Sequence, residues 1–282
     1  MSTFKTFTTG LCLLILPSLL QASVIPSDIA ITANIAFDDD PATGSFDTTG
    51  RASQSAIMDI ISSGSVSSSS VAGLVVSGDN PLTGSINETG DGMSIAADIL
   101  GGPDSTADGF FFDYSLGLTN SSSVNDYMLV FQIVLDNFVS ANPNDLDPGD
   151  FDGFADSKSF LERSDTGEEL FFTDITSDSF GDQIAGAPTD PATAGADIFD
   201  ARTIDIQIML PRNGAFDLFG DMQLSGLNAI VDTSGFSVSQ ALSISLLSVN
   251  NLTQPPTAAS APSAALLITL SLLLLVRARN RV

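Results

Sequence analysis

The 282-residue chain contains no histidine, no tryptophan, two tyrosines and one cysteine. Without imidazole it cannot build a Ser-His-Asp or Cys-His catalytic group. A zinc site is disfavoured for a related reason, because zinc takes imidazole and thiolate ligands. The single cysteine, Cys12, sits in an apolar leader. The mature domain therefore has no disulfide, and burial and strand ladders must hold it together. Basic side chains are scarce as well, 9 Lys and Arg against 34 Asp and Glu, for a net charge of −25. Lys5, Arg277, Arg279 and Arg281 lie in terminal segments that hold no acid. The middle keeps Arg51, Lys158, Arg163, Arg202 and Arg212, five against 34, a net of −29. Such a surface repels nucleic acid and anionic lipid, because phosphate binding needs cations that displace condensed counterions. No nucleic-acid partner is expected. The acidity reads first as solubility, and second as carboxylates available to calcium or a cationic partner. With only Tyr114 and Tyr127, the amphipathic aromatics that line recognition surfaces are few. The 19 phenylalanines read as core wherever they alternate in strands.

What is present is a hydrophobic fraction of 43%, enough for a core and unlike the low-hydrophobicity, high-charge composition of disordered chains. Several segments alternate apolar and polar residues with period two, the mark of a strand with one face buried. One is Ile29, Ile31, Ala33, Ile35 and Phe37; another is Phe110, Phe112, Tyr114, Leu116 and Leu118; a third is Leu129, Phe131, Ile133 and Leu135. Later come Ile204, Ile206, Ile208 and Leu210, then Phe216 and Leu218, then Leu242, Ile244 and Leu246. Turn clusters separate them, among them Asp38 to Pro41, Gly78 to Pro81, Gly101 to Asp104 and Pro211 to Gly214. This pattern predicts an all-β fold, an antiparallel β-sandwich or jelly-roll-like domain, with a closed barrel as the alternative. Residues 62–72, rich in Ser and Gly, are expected to form a loop or a polar hairpin tip, and residues 54–61 a helical turn.

The two ends differ from the middle. Lys5, the apolar run Gly10 to Leu16 and the small residues up to Ala22 have the layout of a secretory signal peptide, with cleavage expected after Ala22. The apolar run is shorter than the roughly 20 residues that span a bilayer. At the other end, Gln254 to Pro262 is a Pro-, Ala- and Ser-rich spacer. An apolar helix from Ser263 to Val276 follows, stopped by Arg277, Arg279 and Arg281, which should stay on the cytoplasmic side. The expected organisation is a signal helix over 1–22, an extracellular β-sandwich over 23–252, a linker with a sorting motif over 253–262 and a transmembrane sorting or anchor helix over 263–282.

The tripartite end resembles the PEP-CTERM sorting signal of exosortase substrates in bacteria, in a variant that lacks the Glu. The motif position reads Ser260-Ala261-Pro262-Ser263, followed by the apolar helix and the tail of Arg277, Arg279 and Arg281. The resemblance implies export, processing by an exosortase-like membrane protease and delivery to the cell surface or an exopolysaccharide matrix. A plain single-pass anchor has the same physical appearance. Residues 110–249 also resemble extracellular domains commonly joined to this signal, on Tyr114 to Asn120, Glu169 to Asp174 and Leu242 to Leu246. That resemblance implies a β-sandwich of unassigned function and supplies no catalytic residues.

Two constellations bear on chemistry. Asn142 to Asp156 is the densest polar stretch, and calcium takes several oxygen ligands at once, so Asp145, Asp147, Asp150, Asp152 and Asp156 are the candidate calcium ligands. The spacing does not fit an EF-hand, and the preferred reading is a solvated acidic loop in which Asp, Asn, Pro and Gly serve turn geometry. Otherwise no cofactor is expected. Paired carboxylates can run glycoside hydrolysis, but with 34 acids chance pairs are unavoidable. The leading expectation is a non-enzymatic surface or matrix protein with a structural or adhesive role, partnered by the membrane, the processing protease and an exopolysaccharide. A calcium- or polysaccharide-binding module is the first alternative and a carboxylate-dependent hydrolase the second.

Overall fold

The computed structural model describes residues 22–37, 46–49, 52–73, 75–76, 81–141, 153–178, 181–185, 187–190, 197–229 and 235–253. The expected signal segment up to residue 21, the expected sorting motif and the expected transmembrane segment lie outside them. The described residues form strands β1 (Ile29–Phe37), β2 (Phe46–Thr49), β3 (Ser53–Ser62), β4 (Ser65–Gly73), β5 (Val75–Val76), β6 (Leu82–Ile86), β7 (Gly92–Gly101) and β8 (Ser105–Asn120). They continue with β9 (Tyr127–Ser140), β10 (Gly153–Arg163), β11 (Glu169–Asp178), β12 (Asp182–Ile184), β13 (Ala187–Asp190), β14 (Ile198–Leu210), β15 (Ala215–Asn228) and β16 (Phe236–Asn251). Among them no helix is long and apolar enough to cross a membrane.

Two antiparallel sheets form. The first runs β13-β12-β11-β10-β15-β8-β1-β6, with β2 against β8 and β5 against β2; the second runs β14-β9-β16-β7-β3-β4. The period-two alternation decides which side of each strand is inside. Along β9, every odd residue from Tyr127 to Val139 is buried, and β1 buries Ile29, Ile31, Ala33, Ile35 and Phe37. These inner faces meet as the two halves of a β-sandwich. Within it an aromatic group joins Phe37, Phe110 and Phe112, whose ring centroids lie 5.3, 5.6 and 4.7 Å apart in tilted and edge-on contacts. With no disulfide available, each such side chain contributes about 1.5–3 kcal/mol of burial that nothing else replaces.

One local expectation is corrected, and another is narrowed to its hairpin-tip alternative. Residues 54–61 belong to β3, not to a helical turn: Gln54, Ala56, Met58 and Ile60 are buried while Ile57 and Ile61 are exposed. Apolar residues on both parities blurred the strand period. Residues 62–72 are not a loop. They include the tip of a hairpin, with Ser63 and Gly64 at φ 48° and 74°, and most of an arm, β4, that pairs with β3 from Ser62↔Ser65 to Gln54↔Gly73. Much of this arm is exposed, which suits its serines, and backbone hydrogen bonds give it its place.

Both ends of the sandwich chain reach the same pole. The loop from Ser121 to Asp126 takes hydrogen bonds from or gives them to Asp28, Asn213, Leu252 and Thr253. Ser23 bonds reciprocally with Thr89 through its N–H and carbonyl. The strand ends Phe37, Ser140, Gly153 and Asn228 lie at the opposite pole, as the registers of β1, β9, β10 and β15 require.

Candidate functional site

The most unusual feature is a polar layer inside the sandwich. Three residues of the second sheet stand side by side on the core face, Asp200 on β14, Asn137 on β9 and Gln240 on β16, each at the position directly opposite the next. Facing them from the first sheet are Thr173 on β11 and Ser157 on β10. Asn137, Ser157, Thr173 and Gln240 are all at most 1% exposed. Each occupies a core-facing position in its strand's alternation, so folding places amides and hydroxyls where apolar groups would otherwise pack. Buried polar groups of this kind cost free energy unless they are bonded.

Most of them are bonded. Thr173 Oγ1 donates to Asp200 Oδ2 at 2.7 Å. Asn137 Nδ2 donates to Thr173 Oγ1 at 3.5 Å, and Ser157 Oγ donates to Gln240 Oε1 at 3.0 Å. Ala141 N–H donates to Ser177 Oγ at 3.1 Å, extending the layer toward the pole opposite the chain ends. The open side of the sandwich is closed by Arg202 on β14. Its Nη2 donates to Phe172 O on β11 and to Asp200 Oδ2, both at 2.7 Å, and its guanidinium lies 5.5 Å from the Phe171 ring centroid. Two buried atoms in the layer have no hydrogen-bond partner, Asn137 Oδ1 and Gln240 Nε2, an acceptor and a donor on facing residues.

A second interior group centres on Tyr114 of β8. Its hydroxyl donates to Phe160 O and lies 3.0 Å from Ser159 Oγ, which itself donates to Asp221 O at 2.8 Å. Burial pushes the phenol far above its ordinary range, with the Asp221 charge adding to the shift. Tyr114 is thus a hydrogen-bonding strut between β8 and β10 and does not titrate near neutral pH. In the motif from Tyr114 to Asn120, the last residue also does structural work. Asn120 Nδ2 donates to the carbonyls of Asn125, Leu210 and Pro211, while its Oδ1 accepts from Ser122 N–H.

The outer face of the first sheet carries rings as well as charges. Phe160 and Phe172 are directly paired on β10 and β11. Phe160 meets Phe219 edge-on at 6.3 Å, and Lys158 Nζ lies 5.9 Å from the Phe172 centroid. Phe219 is 37% exposed. Phenylalanines that alternate in strands are therefore not all core, because β10 and β11 carry rings on their outer parity.

Of the calcium candidates, Asp145, Asp147, Asp150 and Asp152 lie outside the described residues. Asp156 stands on the outer face of β10, where Thr176 Oγ1 donates to its Oδ1 at 2.6 Å. Burial raises its pKa; the Thr176 hydrogen bond and Lys158 oppose the shift, and the charge of Asp174 adds to it. Among the described residues no group of three or more Asp and Glu is placed to hold a metal ion. Ala22, the expected cleavage point, is exposed immediately before the bonded Ser23. Ser260, Ala261, Pro262, Ser263, Arg277, Arg279 and Arg281 lie outside the described residues. The polar layer went unread in the sequence although a signal for it was there. Asn137 continues the parity of Leu129 to Leu135, Gln240 that of Leu242 to Leu246, and Asp200 that of Ile204 to Leu210, so each is a polar residue in a core register.

No protein family matches the chain, and no curated protein matches it. Among solved structures it is similar to that of the infectious bursal disease virus Gx strain, at 11% identity and a TM-score of 0.20, over 77% of this chain and 56% of that one. It is also similar to the VP2 subviral particle of infectious bursal disease virus, at 9% identity and a TM-score of 0.21, over 80% of this chain and 57% of that one. The chain spans little more than half the length of these proteins. Likeness at this level carries no functional reading, and what the fold itself establishes is an all-β protein of two antiparallel sheets packed as a β-sandwich.

Proposed function

We propose that this is an exported, non-enzymatic cell-surface or exopolysaccharide-matrix protein, a jelly-roll-like sandwich with a structural or adhesive role, delivered by a PEP-CTERM-like signal. One observation carries the reading: among the described residues, the first that is bonded, Ser23, and the last, Thr253, lie at one pole. A leader removed after Ala22 costs the domain none of the hydrogen bonds that Ser23 makes. Thr253 is bonded at this pole, so a membrane tail following it would leave the opposite pole and both outer faces free. The acidic surface, net −29 between the terminal segments, keeps such a domain dispersed and off anionic lipid.

The experiment is the intact mass of the protein recovered from its native host, separately from inner membrane, outer surface and medium. Loss of residues 1–22 together with the residues after about Pro262 supports sorting by an exosortase-like protease, the position being that of the sorting motif. A full-length C-terminus confined to the membrane overturns sorting in favour of a simple anchored ectodomain.

A second reading, polysaccharide binding, is favoured by the rings of Phe160, Phe172 and Phe219 on the outer face, with Lys158, Asp156 and Asp174 beside them. Flat apolar rings bordered by hydrogen-bonding groups suit sugar faces and hydroxyls. Retention on an acid-free polysaccharide column that is lost in Phe172→Ala and Phe219→Ala tests it. Equal retention of these variants and the parent removes this face as the binding site.

A further inference from the structure

The polar layer holds the parts of an acyl-transfer reaction, and we infer that it closes an intramolecular ester between Thr173 and Asn137, joining the two sheets covalently. The nucleophile is Thr173 Oγ1, already hydrogen-bonded to a base, Asp200 Oδ2, at 2.7 Å. The electrophile is the side-chain amide of Asn137, whose Nδ2 lies 3.5 Å from that oxygen. Asn137 Oδ1, where negative charge develops when the amide carbon is attacked, is an acceptor with no partner. On the facing position of β16 stands Gln240, whose Nε2 is a donor with no partner. Gln240 is held from behind by Ser157, and Asp200 by Arg202. A buried donor and a buried acceptor on paired residues, neither of them hydrogen-bonded, are costly in a ground state, and the donor can serve a developing oxyanion once the Gln240 amide turns toward it.

The reaction balances without any co-reactant. The Thr173 hydroxyl proton passes to Asp200 as Oγ1 bonds to the Asn137 side-chain carbonyl carbon. The negative charge of the tetrahedral intermediate falls on Oδ1, on the residue paired with Gln240 across β9 and β16. The proton on Asp200 then goes to Nδ2, the carbon–nitrogen bond breaks, and one ammonia leaves. The product is an ester, and no oxidant or reductant takes part. An amide is a poor electrophile, but the groups meet inside one folded molecule, which supplies the effective concentration of an intramolecular step. Only one turnover is needed. With Asn137 and Thr173 at most 1% exposed, water that would hydrolyse the ester is kept out. The bond ties β9 of one sheet to β11 of the other, a covalent link in a mature chain that has no cysteine for a disulfide.

The test is mass spectrometry on the full chain purified under denaturing conditions, with its termini defined by peptide mapping. The linked protein is lighter than its sequence by one ammonia, about 17 Da. Cleavage before aspartates then yields residues 136–144 joined to residues 165–173, and hydroxylamine separates the pair. Thr173→Val restores the full mass, Thr173→Ser keeps the link, and Asp200→Asn slows its formation. Two results overturn the inference: full mass in the parent protein, or a mass deficit with peptides 136–144 and 165–173 unjoined, which marks an asparagine succinimide instead of a cross-link. Should Thr173→Val fail to fold, the peptide map of the parent decides alone.

Discussion

Asn137 and Gln240 face each other across β9 and β16 in the middle of the sandwich, and each leaves one amide atom without a partner, an acceptor on the first and a donor on the second. The pair stands between Asp200 on one side and apolar positions on the other, where the inner face passes from polar to hydrocarbon. Such a layer orders the two sheets relative to each other, because only one register brings Thr173 to Asp200 and Ser157 to Gln240. An all-apolar interior would permit more than one.

The first prediction concerns the Ser157–Gln240 bond. Ser157→Ala leaves Gln240 Oε1 buried with no donor and should lower unfolding free energy by about 1–3 kcal/mol. Adding Gln240→Leu removes both partners and should recover most of that loss. Denaturant melts of the four members of the cycle check it. A double variant no better than the single one shows that Gln240 is held by something other than this bond.

Gly220 on β15 is the tightest packing point beside Tyr114. A Cβ there would stand 2.0 Å from Phe160 O and 2.7 Å from the Tyr114 ring. Gly220→Ala should therefore push β10 and β15 apart and cost at least about 1–3 kcal/mol, the scale of overpacking a close-packed core. Thermal unfolding measures it, and an unchanged midpoint would show that the strands yield.

Acid acts on the carboxylates in opposite directions. The folded-state pKa of Asp156 is raised, chiefly by burial, so the folded form holds its proton more tightly than the unfolded form. Its contribution favours folding at low pH and is lost as pH rises from the ordinary carboxylate range through the raised value. Asp126 is the reverse case. The Arg212 side chain lowers its pKa by hydrogen bonding, so its contribution is present above the ordinary range and disappears as pH falls through the lowered value. Asp156→Asn should raise the melting temperature at neutral pH by a few degrees at most and leave it unchanged near pH 3, a pattern read by melting the pair across pH. A lower midpoint at neutral pH would mean that the charged form is favoured on the folded surface.

Calcium is expected to do little. Residues 142–152 lie outside the described residues, while residues 153–156 belong to β10 and not to the expected solvated loop, with Thr176 as the hydrogen-bond partner of Asp156. Millimolar calcium should leave the melting temperature where a chelator leaves it. A rise of several degrees that chelation reverses would establish a bound ion, by the mass action of a ligand that binds only the folded state.

The sequence by itself determined the class of the fold and the sides of the strands. Alternation along Ile29 to Phe37, Phe110 to Leu118 and Leu129 to Leu135 specifies one buried face per strand, and burial of that face is the dominant favourable term in folding. It also determined the absence of histidine chemistry and of a disulfide within the chain, which has one cysteine and no histidine. Where one strand carried apolar residues on both faces, as in β3, period alone misled. Where a strand carried few, as in β4, backbone pairing with its neighbour decided its place. Only the tertiary structure could decide which polar residues of core parity meet. Asn137, Thr173, Asp200 and Gln240 are 27 to 103 positions apart in the chain and come from four strands in two sheets. Their meeting depends on strand order and on the way the sheets stack, which are properties of long-range pairing and lie beyond any local pattern.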